Sequence, residues 1–252
     1  MSRSDQTKVS VVLPTYNEAG NIVPLVNSIL KILPQEYEPE IIVVDDDSPD
    51  GTCEIVTREF AGDGRVVPVR RTTDPGLAKA IRAGIELSTG DKIVVMDTDF
   101  THDPAEIPRL LHVAKLYDLV SGSRFCAGGA MQDTGHYLAS LLYNWMLRVI
   151  LRTQVQDNLG GYFVVDRRVL FELPFDDIFE GYGEYYFRLL YFFLGRDFRL
   201  VEIPSHYQVR MSGSSKSVFA KMLFTYVGAA LKLRLKHRRT RSTAGPDSIP
   251  TR

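Results

Sequence analysis

Two hydrophobic patterns alternate between residues 8 and 121. Short β-branched or apolar runs, typical of buried strands, are separated by segments whose apolar residues recur with the period of an amphipathic helix. Strands joined by helical crossovers pair in parallel, and the helices cover both faces of the sheet. We therefore predict an α/β fold with a mostly parallel sheet. Its strands are expected at Val9–Leu13, Glu40–Val44, Val66–Val69, Lys92–Met96 and Leu119–Ser121.

Three polar clusters follow predicted strands directly, at residues 14–18, 45–51 and 97–103. In open parallel sheets, ligands bind beyond the carboxyl ends of the strands. The sequence therefore predicts that the three clusters form one ligand site. The second cluster places four carboxylates within six residues. It is either a solvated turn or a set of acceptors for the base and ribose of a ligand.

Asp97 and Asp99 stand in alternate positions at the end of a predicted buried strand. This spacing lets one loop turn both carboxylates towards a single divalent cation. Mg²⁺ and Mn²⁺ prefer oxygen ligands and are commonly held by one or two carboxylates together with phosphates of the substrate. Two aspartates on a solvated loop would be the plainer interpretation, but the position after a buried strand favours a metal site.

Net charge, cysteine count and hydrophobic segments indicate which partners and which cellular compartment to expect. The formal net charge of −1 over 252 residues gives no overall field that would attract nucleic acid. Two cysteines cannot build a disulfide framework, which favours a reducing compartment. The first residues lack the pattern of a signal peptide, and no segment reaches the roughly 18 to 20 apolar residues of a membrane-spanning helix. We expect a cytoplasmic protein whose membrane contact, if any, is peripheral.

After residue 122 the pattern changes to helices rich in leucine and aromatic residues, with no linker before them. We expect one domain over residues 1–217, with two halves at 8–121 and 122–217. Residues 218–241 combine apolar turns with basic residues, which is typical of a helix lying on an anionic membrane surface. A core helix with a basic tail is the alternative. Residues 242–252 are predicted to be disordered.

Five short motifs, in their order and spacing, resemble those of family 2 glycosyltransferases. They are Pro14–Glu18 (PTYNE), Asp45–Thr52 (DDDSPDGT), Gly76-Leu77, Asp97–Asp99 (DTD) and Gly122–Arg124 (GSR). Two more are similar to those of the dolichol-phosphate mannose synthase branch of that family. Asp157–Tyr162 (DNLGGY) resembles its D-x-x-S-G-F element, and Arg210–Lys216 (RMSGSSK) matches its R-x-x-G-x-S-K element. The likeness implies the Rossmann-like GT-A fold, with residues 1–217 as the catalytic domain, 8–121 as its nucleotide-sugar-binding half and 122–217 as its acceptor-binding half.

The resemblance also implies roles for individual residues on the donor side. The nucleotide sugar would be bound by Pro14, Tyr16, Glu18, Val44, Asp45, Asp46, Gly76, Asp97, Thr98, Asp99, Arg210 and Lys216. Mg²⁺ or Mn²⁺ would be held by Asp97 and Asp99, with Thr101 where the family has Gln or a small hydroxyl residue. Asp99, Arg210 and Lys216 would be catalytic, the two basic residues neutralising the leaving diphosphate.

On the acceptor side, the resemblance assigns the phosphate of the acceptor to Arg124, His136 and Ser140. His136 departs from the family, which usually has Arg there, and Gly160 replaces the Ser of the D-x-x-S-G-F element. An imidazole can still donate to a phosphate, although a lone His is often only a structural hydrogen bonder.

The implied reaction is inverting transfer of one sugar, mannose from GDP-mannose, to dolichyl or another polyprenyl phosphate at the cytoplasmic membrane face. One alternative is a GT-A enzyme that uses a UDP-sugar or a sugar-hydroxyl acceptor, which would need a carboxylate base such as Asp157 or Glu184. Another is a non-catalytic module that binds a nucleotide sugar.

Overall fold

The computed structural model describes residues 6–132, 134–208 and 219–243, with the side chains of 134–136, 219–223 and 237–243 outside the description. The strands are β1 (Thr7–Thr15), β2 (Tyr37–Asp45), β3 (Val66–Arg70), β4 (Lys92–Val95), β5 (Leu119–Ser123), β6 (Ala130–Met131), β7 (Phe163–Asp166), β8 (Leu200–Pro204) and β9 (His206–Tyr207). The helices are α1 (Ile22–Ile32), α2 (Thr52–Glu59), α3 (Leu77–Leu87), α4 (Ile107–Val113), α5 (Thr134–Leu151), α6 (Arg167–Leu170), α7 (Phe175–Ile178), α8 (Glu184–Leu194) and α9 (Phe219–Thr243).

In the described part of the chain, seven strands form one sheet in the order β3-β2-β1-β4-β7-β5-β8. β1 pairs in parallel with β2 on one side and with β4 on the other. The strand order therefore reverses between β1 and β4, and the crevice beyond their carboxyl ends is where open α/β sheets bind ligands. The predicted mostly parallel sheet is confirmed.

Helices cover both faces of the sheet, as predicted. On one face α1 buries Leu25 and Ile29 against Val11 of β1. On the other, Ile81 of α3 packs with Val12 of the same strand. Successive residues of a strand point to opposite faces, so Val11 and Val12 anchor the two layers from adjacent positions. Both layers hold the ends of β1 and β4 in place.

The division at residues 121 and 122 falls inside β5, and the segment after it is less helical than expected. β7 lies antiparallel between β4 and β5, and β8 pairs in parallel with β5. The two predicted halves therefore share one sheet. β7 is only four residues long, and its run Phe-Val-Val-Asp is too short to show a strand period in the sequence.

α9 is partly a core element. Its Tyr226, Ala230 and Leu233 pack against α5 and α8, while Phe224 and Leu235 on the same helix are 79% and 62% exposed. α9 continues two residues beyond the predicted boundary at 241, so Ser242 and Thr243 are helical, and the remainder of the predicted tail lies outside the described residues. Within the described ranges, no helix has the length and apolar character needed to cross a membrane.

Candidate active site

Three loops at the carboxyl ends of β1, β2 and β4 contain residues in the left-handed region of backbone space. Asn17 has φ 60°, Asp47 has φ 55° and Phe100 has φ 62°. A residue other than glycine seldom adopts positive φ, and such residues cluster at functional sites because their surroundings must hold them there. The three loops that the sequence predicted as one ligand site are thus each held in a specific, less common conformation.

The loops after β1 and β2 are hydrogen-bonded to each other. The backbone N–H of Asn17 donates to Oγ of Ser48 at 2.9 Å, and the N–H of Glu18 donates to Oγ1 of Thr52 at 3.0 Å. Oε2 of Glu18 accepts from the side-chain amide of Asn21 at 2.7 Å. These bonds fix the backbone at Asn17 and Glu18, directly after Tyr16.

Asp45 organises these loops from within. It is 1% exposed, and its carboxylate accepts from Thr15 Oγ1 at 3.0 Å, from Ser48 N–H at 2.9 Å and from Ser48 Oγ at 2.5 Å. A carboxylate with three internal donors is already satisfied. The structure therefore gives Asp45 the task of holding two loops together, and direct contact with a nucleoside stays a prediction.

Asp46 and Gly76 were both predicted to bind nucleotide, and they contact each other. The N–H of Gly76, at the start of α3, donates to Oδ2 of Asp46 at 2.7 Å, and Arg71 Nη1 donates to Oδ1. Burial raises the pKa of Asp46 above its ordinary value, although the Gly76 N–H and the Arg71 charge act in the opposite direction. Gly76 has φ 149°, which favours glycine.

Other predicted donor residues line the same edge of the sheet. Tyr16 is 47% exposed on the loop after β1, whereas Val44 at the end of β2 is buried. The hydroxyl of Thr98 donates to the carbonyl of Pro14 at 3.2 Å and so joins the ends of β4 and β1. The exposed ring of Tyr16 is a surface on which a flat base could stack.

Asp97, Asp99 and Thr101 all lie on the loop after β4. The side chain of Asp97 is 43% exposed, and Asp99 is 5% exposed. Oδ1 of Asp99 accepts from the backbone N–H of Thr101 at 3.0 Å and from its hydroxyl at 2.6 Å. Asp99 and Thr101 are therefore bonded to each other, and Asp97 lies two residues before Asp99 on the same loop; a joint role of the three as metal ligands stays a prediction.

This group of oxygens fits a divalent cation that shares its coordination with a substrate. Within the described ranges, no three His, Cys, Asp or Glu side chains converge closely enough to hold a metal ion by themselves. Mg²⁺ is characteristically bound by one or two carboxylates and completed by phosphate oxygens and water. Asp97 and Asp99 meet that description, with the Thr101 hydroxyl as a further oxygen.

His102 belongs to this loop and was not singled out from the sequence. It is fully buried, its Nδ1 accepts from the backbone N–H of Asp97 at 2.9 Å, and Nε2 lies 3.8 Å from Asp97 Oδ2. Its ring stacks on Tyr162 at 4.8 Å between centroids and meets the edge of Tyr207 at 4.6 Å. A histidine directly after the DTDFT run was the available signal, but only the fold shows that its ring turns back to Asp97.

Arg124 and Asp157 form a buried pair beside this loop. Arg124 is 6% exposed, and its Nε and Nη2 donate to the two oxygens of Asp157 at 2.8 and 2.7 Å. Its guanidinium also lies 4.7 Å from the ring centroid of Tyr207. Burial alone would lower the pKa of Arg124, but the carboxylate of Asp157 outweighs it and raises that pKa. Arg124 therefore remains charged.

Of the other residues predicted to bind the acceptor phosphate or the leaving diphosphate, only Ser140 has a described side chain. Ser140 is half-buried on α5, and its carbonyl accepts from Asn144, whose Oδ1 accepts from the N–H of Asn158 at 2.6 Å. Asn144 thus ties α5 to the DNLGGY segment. His136 lies in α5, but its side chain is outside the description, and Arg210 and Lys216 lie outside the described residues. Their predicted roles stay predictions.

Comparison with known proteins agrees with this geometry. Residues 10–173 match the model of Glycosyl transferase family 2. The chain is 34% identical over 227 residues, 87% of its length, to a dolichol-phosphate mannosyltransferase of Pyrococcus furiosus, and it spans 62% of that protein. It is also 34% identical over 218 residues to an undecaprenyl-phosphate mannosyltransferase of Micrococcus luteus, covering 83% of this chain and 87% of the relative.

A solved structure supports the fold. Glucosyl-3-phosphoglycerate synthase of Mycobacterium tuberculosis, in complex with Mn²⁺, uridine diphosphate and phosphoglyceric acid, aligns with a TM-score of 0.69 at 23% sequence identity. The alignment covers 90% of this chain and 78% of the other. Together with the mostly parallel sheet, this similarity identifies the predicted GT-A fold. The chain therefore belongs to glycosyl transferase family 2 and is a glycosyltransferase.

Proposed function

We propose that this enzyme transfers one mannose from GDP-mannose to the phosphate of dolichol or another polyprenol, at the cytoplasmic face of a membrane and with Mg²⁺ or Mn²⁺. The names of the Pyrococcus and Micrococcus relatives support a polyprenyl phosphate acceptor and mannose as the sugar. GDP as the nucleotide rests on the resemblance of the sequence motifs.

A phosphate acceptor is favoured because both candidate bases, Asp157 and Glu184, are buried and already hydrogen-bonded. Asp157 is fully buried and bonded to Arg124, and Glu184 is 5% exposed and accepts from the N–H of Tyr182 at 2.6 Å. A sugar hydroxyl needs a base that can reach it and take its proton. A phosphate monoester is already an anion at neutral pH, because its second pKa is about 6, and it needs no base.

On the donor side, Asp46, Gly76 and Tyr16 would bind the nucleoside, and Asp97, Asp99 and Thr101 would hold the cation. When bound, a divalent cation supplies positive charge that stabilises the leaving diphosphate. Solved structures of the Mycobacterium tuberculosis synthase with Mn²⁺ or with Mg²⁺, each with uridine diphosphate, support this proposal. Arg210 and Lys216 would add positive charge at the same diphosphate.

In the transfer, an oxygen of the acceptor phosphate attacks the anomeric carbon from the face opposite the diphosphate. The bond from that carbon to the phosphate oxygen forms as the bond to the diphosphate oxygen breaks, and the nucleoside diphosphate leaves with the bonding electrons. No proton moves in this step. Arg124, held in orientation by Asp157, would place the phosphate together with Ser140 and His136.

An exposed apolar stripe on α5 supports the proposed membrane location. Leu138, Trp145 and Val149 are 67%, 59% and 58% exposed, and Leu141 and Leu142 continue the stripe at helical spacing. Contiguous exposed apolar surface of this kind marks interaction sites, and exposed Arg148 lies beside it. An apolar stripe with basic neighbours suits an anionic lipid surface.

The proposal is tested with purified protein, vesicles containing polyprenyl phosphate, and separately labelled GDP-mannose, UDP-glucose and UDP-N-acetylglucosamine. We expect label from GDP-mannose alone to enter a lipid that mild acid hydrolyses, and the Asp97→Asn variant to transfer none. If label from a UDP-sugar enters the lipid, that UDP-sugar and not GDP-mannose is the donor. Tight binding of GDP-mannose without any turnover would favour the non-catalytic alternative.

A further inference from the structure

His102 has a ring nitrogen, Nε2, that lies close to the predicted metal ligand Asp97. Nδ1 accepts from the backbone N–H of Asp97. A backbone amide can only donate, so the proton of the neutral imidazole is on Nε2. Nε2 is buried and has no hydrogen-bond partner within the ranges that the structure describes. His102 therefore presents a buried N–H donor 3.8 Å from Oδ2 of Asp97.

An N–H buried without an acceptor costs about 1–3 kcal/mol, and proteins seldom leave one in place without a use. The carboxylate of Asp97 is the acceptor at hand, because 3.8 Å exceeds a normal hydrogen bond by less than 1 Å. The side chain of Asp97 is 43% exposed and can move, whereas His102 cannot. A small turn of the carboxylate would complete the bond.

The ring of His102 is held on both sides. Tyr162 stacks on it and donates its hydroxyl to the carbonyl of Asp103 at 2.9 Å, so it is anchored to the same loop. Tyr207 meets it edge-on and donates to the carbonyl of Gly160 at 2.9 Å. A ring confined by two anchored aromatic residues keeps its nitrogens in fixed directions, which a positioning residue requires.

We propose that His102 is a positioning residue for the cation site, and that its Nε2–H donates to Oδ2 of Asp97 when the other oxygen of that carboxylate binds the metal. Donors behind a ligating carboxylate orient it, and removing them typically lowers metal affinity by about 10–100-fold. This inference rests on the proposed role of Asp97 as a metal ligand. His102 itself does not ligate, since Nδ1 is occupied and Nε2 carries the proton.

Two substitutions separate the two nitrogens of the ring. In His102→Asn the amide oxygen stands as far from Cβ as Nδ1 does, so it can accept from Asp97 N–H but offers nothing at the Nε2 position. In His102→Gln the amide nitrogen stands as far from Cβ as Nε2 does, so it can donate to the carboxylate but does not replace Nδ1. A purely structural role depends on Nδ1, and a positioning role depends on Nε2.

The test measures Mn²⁺ binding by electron paramagnetic resonance, in the presence of GDP and separately of UDP, and thermal unfolding without metal. We expect His102→Asn to fold, to unfold somewhat earlier than the wild type because it loses the ring between Tyr162 and Tyr207, and to bind Mn²⁺ about 10–100-fold more weakly. His102→Gln should unfold earlier yet bind Mn²⁺ more tightly than His102→Asn. Wild-type affinity in a folded His102→Asn protein would overturn the inference. If the wild type binds no Mn²⁺, or Asp97→Asn binds it equally well, the metal site of the proposed function fails instead.

Discussion

The guanidinium of Arg124 and the carboxylate of Asp157 form a bidentate ion pair that is almost closed to solvent, with side chains 7% and 0% exposed. The pair fixes the orientation of the positive charge that the sequence resemblance assigns to the acceptor phosphate. It also occupies Asp157, one of the two carboxylates that could serve a hydroxyl acceptor as a base. One contact therefore bears on both candidate acceptors.

Asp157→Asn should destabilise the fold, since it leaves the buried charge of Arg124 without its partner. We expect the free energy of unfolding in urea to fall by about 3–5 kcal/mol. Asp176→Asn is the matched control, because Asp176 pairs with Arg82 at the same distance of 2.7 Å but is 92% exposed. That control should lose less than about 1 kcal/mol. Loss of transfer by Asp157→Asn at unchanged stability would support Asp157 as a base.

Asp97→Ala and Asp99→Ala should each lower the rate of transfer by about 100-fold or more. Each variant lacks a proposed ligand of the divalent cation, whose charge stabilises the leaving diphosphate. Their effects on stability should differ. Asp99 satisfies the N–H and hydroxyl of Thr101, so its loss should cost about 1–3 kcal/mol of unfolding free energy. Asp97→Ala should cost less than that, because the side chain of Asp97 is 43% exposed. Full transfer by either variant, or by wild type in excess chelator, would contradict the metal site.

Protonation of Glu40 should lower the stability of the folded protein in acid. Burial would raise its pKa, but donors from Lys8, Ser10 and Thr89 outweigh it and lower the pKa from 4.5 to about 2. A carboxyl with a lowered pKa in the folded state contributes stability that is present above 4.5 and is lost as the pH falls towards about 2.

The check is acid unfolding of Glu40→Gln followed by circular dichroism, with Glu38→Gln as the control. Glu38 is exposed on the same strand. The Glu40→Gln variant should be less stable at pH 7 and should lack the wild-type loss of stability in the acid range. Glu38→Gln should follow the wild type. Identical acid profiles for all three proteins would show that Glu40 gains nothing from its partners.

The exposed apolar stripe of α5 should be the surface through which the protein binds lipid membranes. Trp145→Glu and Leu142→Glu each remove a side chain whose burial is worth about 1.5–3 kcal/mol, which corresponds to roughly tenfold or more in affinity for anionic vesicles. Leu116→Glu is the control, since Leu116 is 67% exposed but lies outside α5 and α9. Vesicle sedimentation should show loss of binding for the two α5 variants alone. Equal binding by all variants would exclude α5 as the docking surface.

Local patterns in the sequence were sufficient for the first half of the sheet. β-branched runs predicted β1 to β5, and the structure has a strand at each of these positions. The antiparallel strand β7 was missed because four residues show no period and strand direction depends on the connections around them. The strands β6 and β9 are shorter still, with two residues each.

The predicted site residues of the first three loops do lie at one edge of the sheet, since the order of the strands places them there. What each side chain contacts there depends on distant partners. Arg124 and Asp157 are 33 residues apart, and Asp46 meets Gly76 over 30 residues. Likewise, Leu147 and Leu151 on another face of α5 pack against α9, and this packing leaves the apolar stripe on the outside. Such pairings follow from the tertiary fold.

The most direct test gives the purified enzyme labelled GDP-mannose, Mn²⁺ and one of two lipids that differ only in the phosphate: a polyprenyl phosphate or the matching free polyprenol. We expect labelled lipid with the phosphate alone, released as free mannose by mild acid, and a rate that Arg124→Ala nearly eliminates. Transfer to the free alcohol, or undiminished transfer to the phosphate by a folded Arg124→Ala variant, would contradict a phosphate acceptor bound at Arg124.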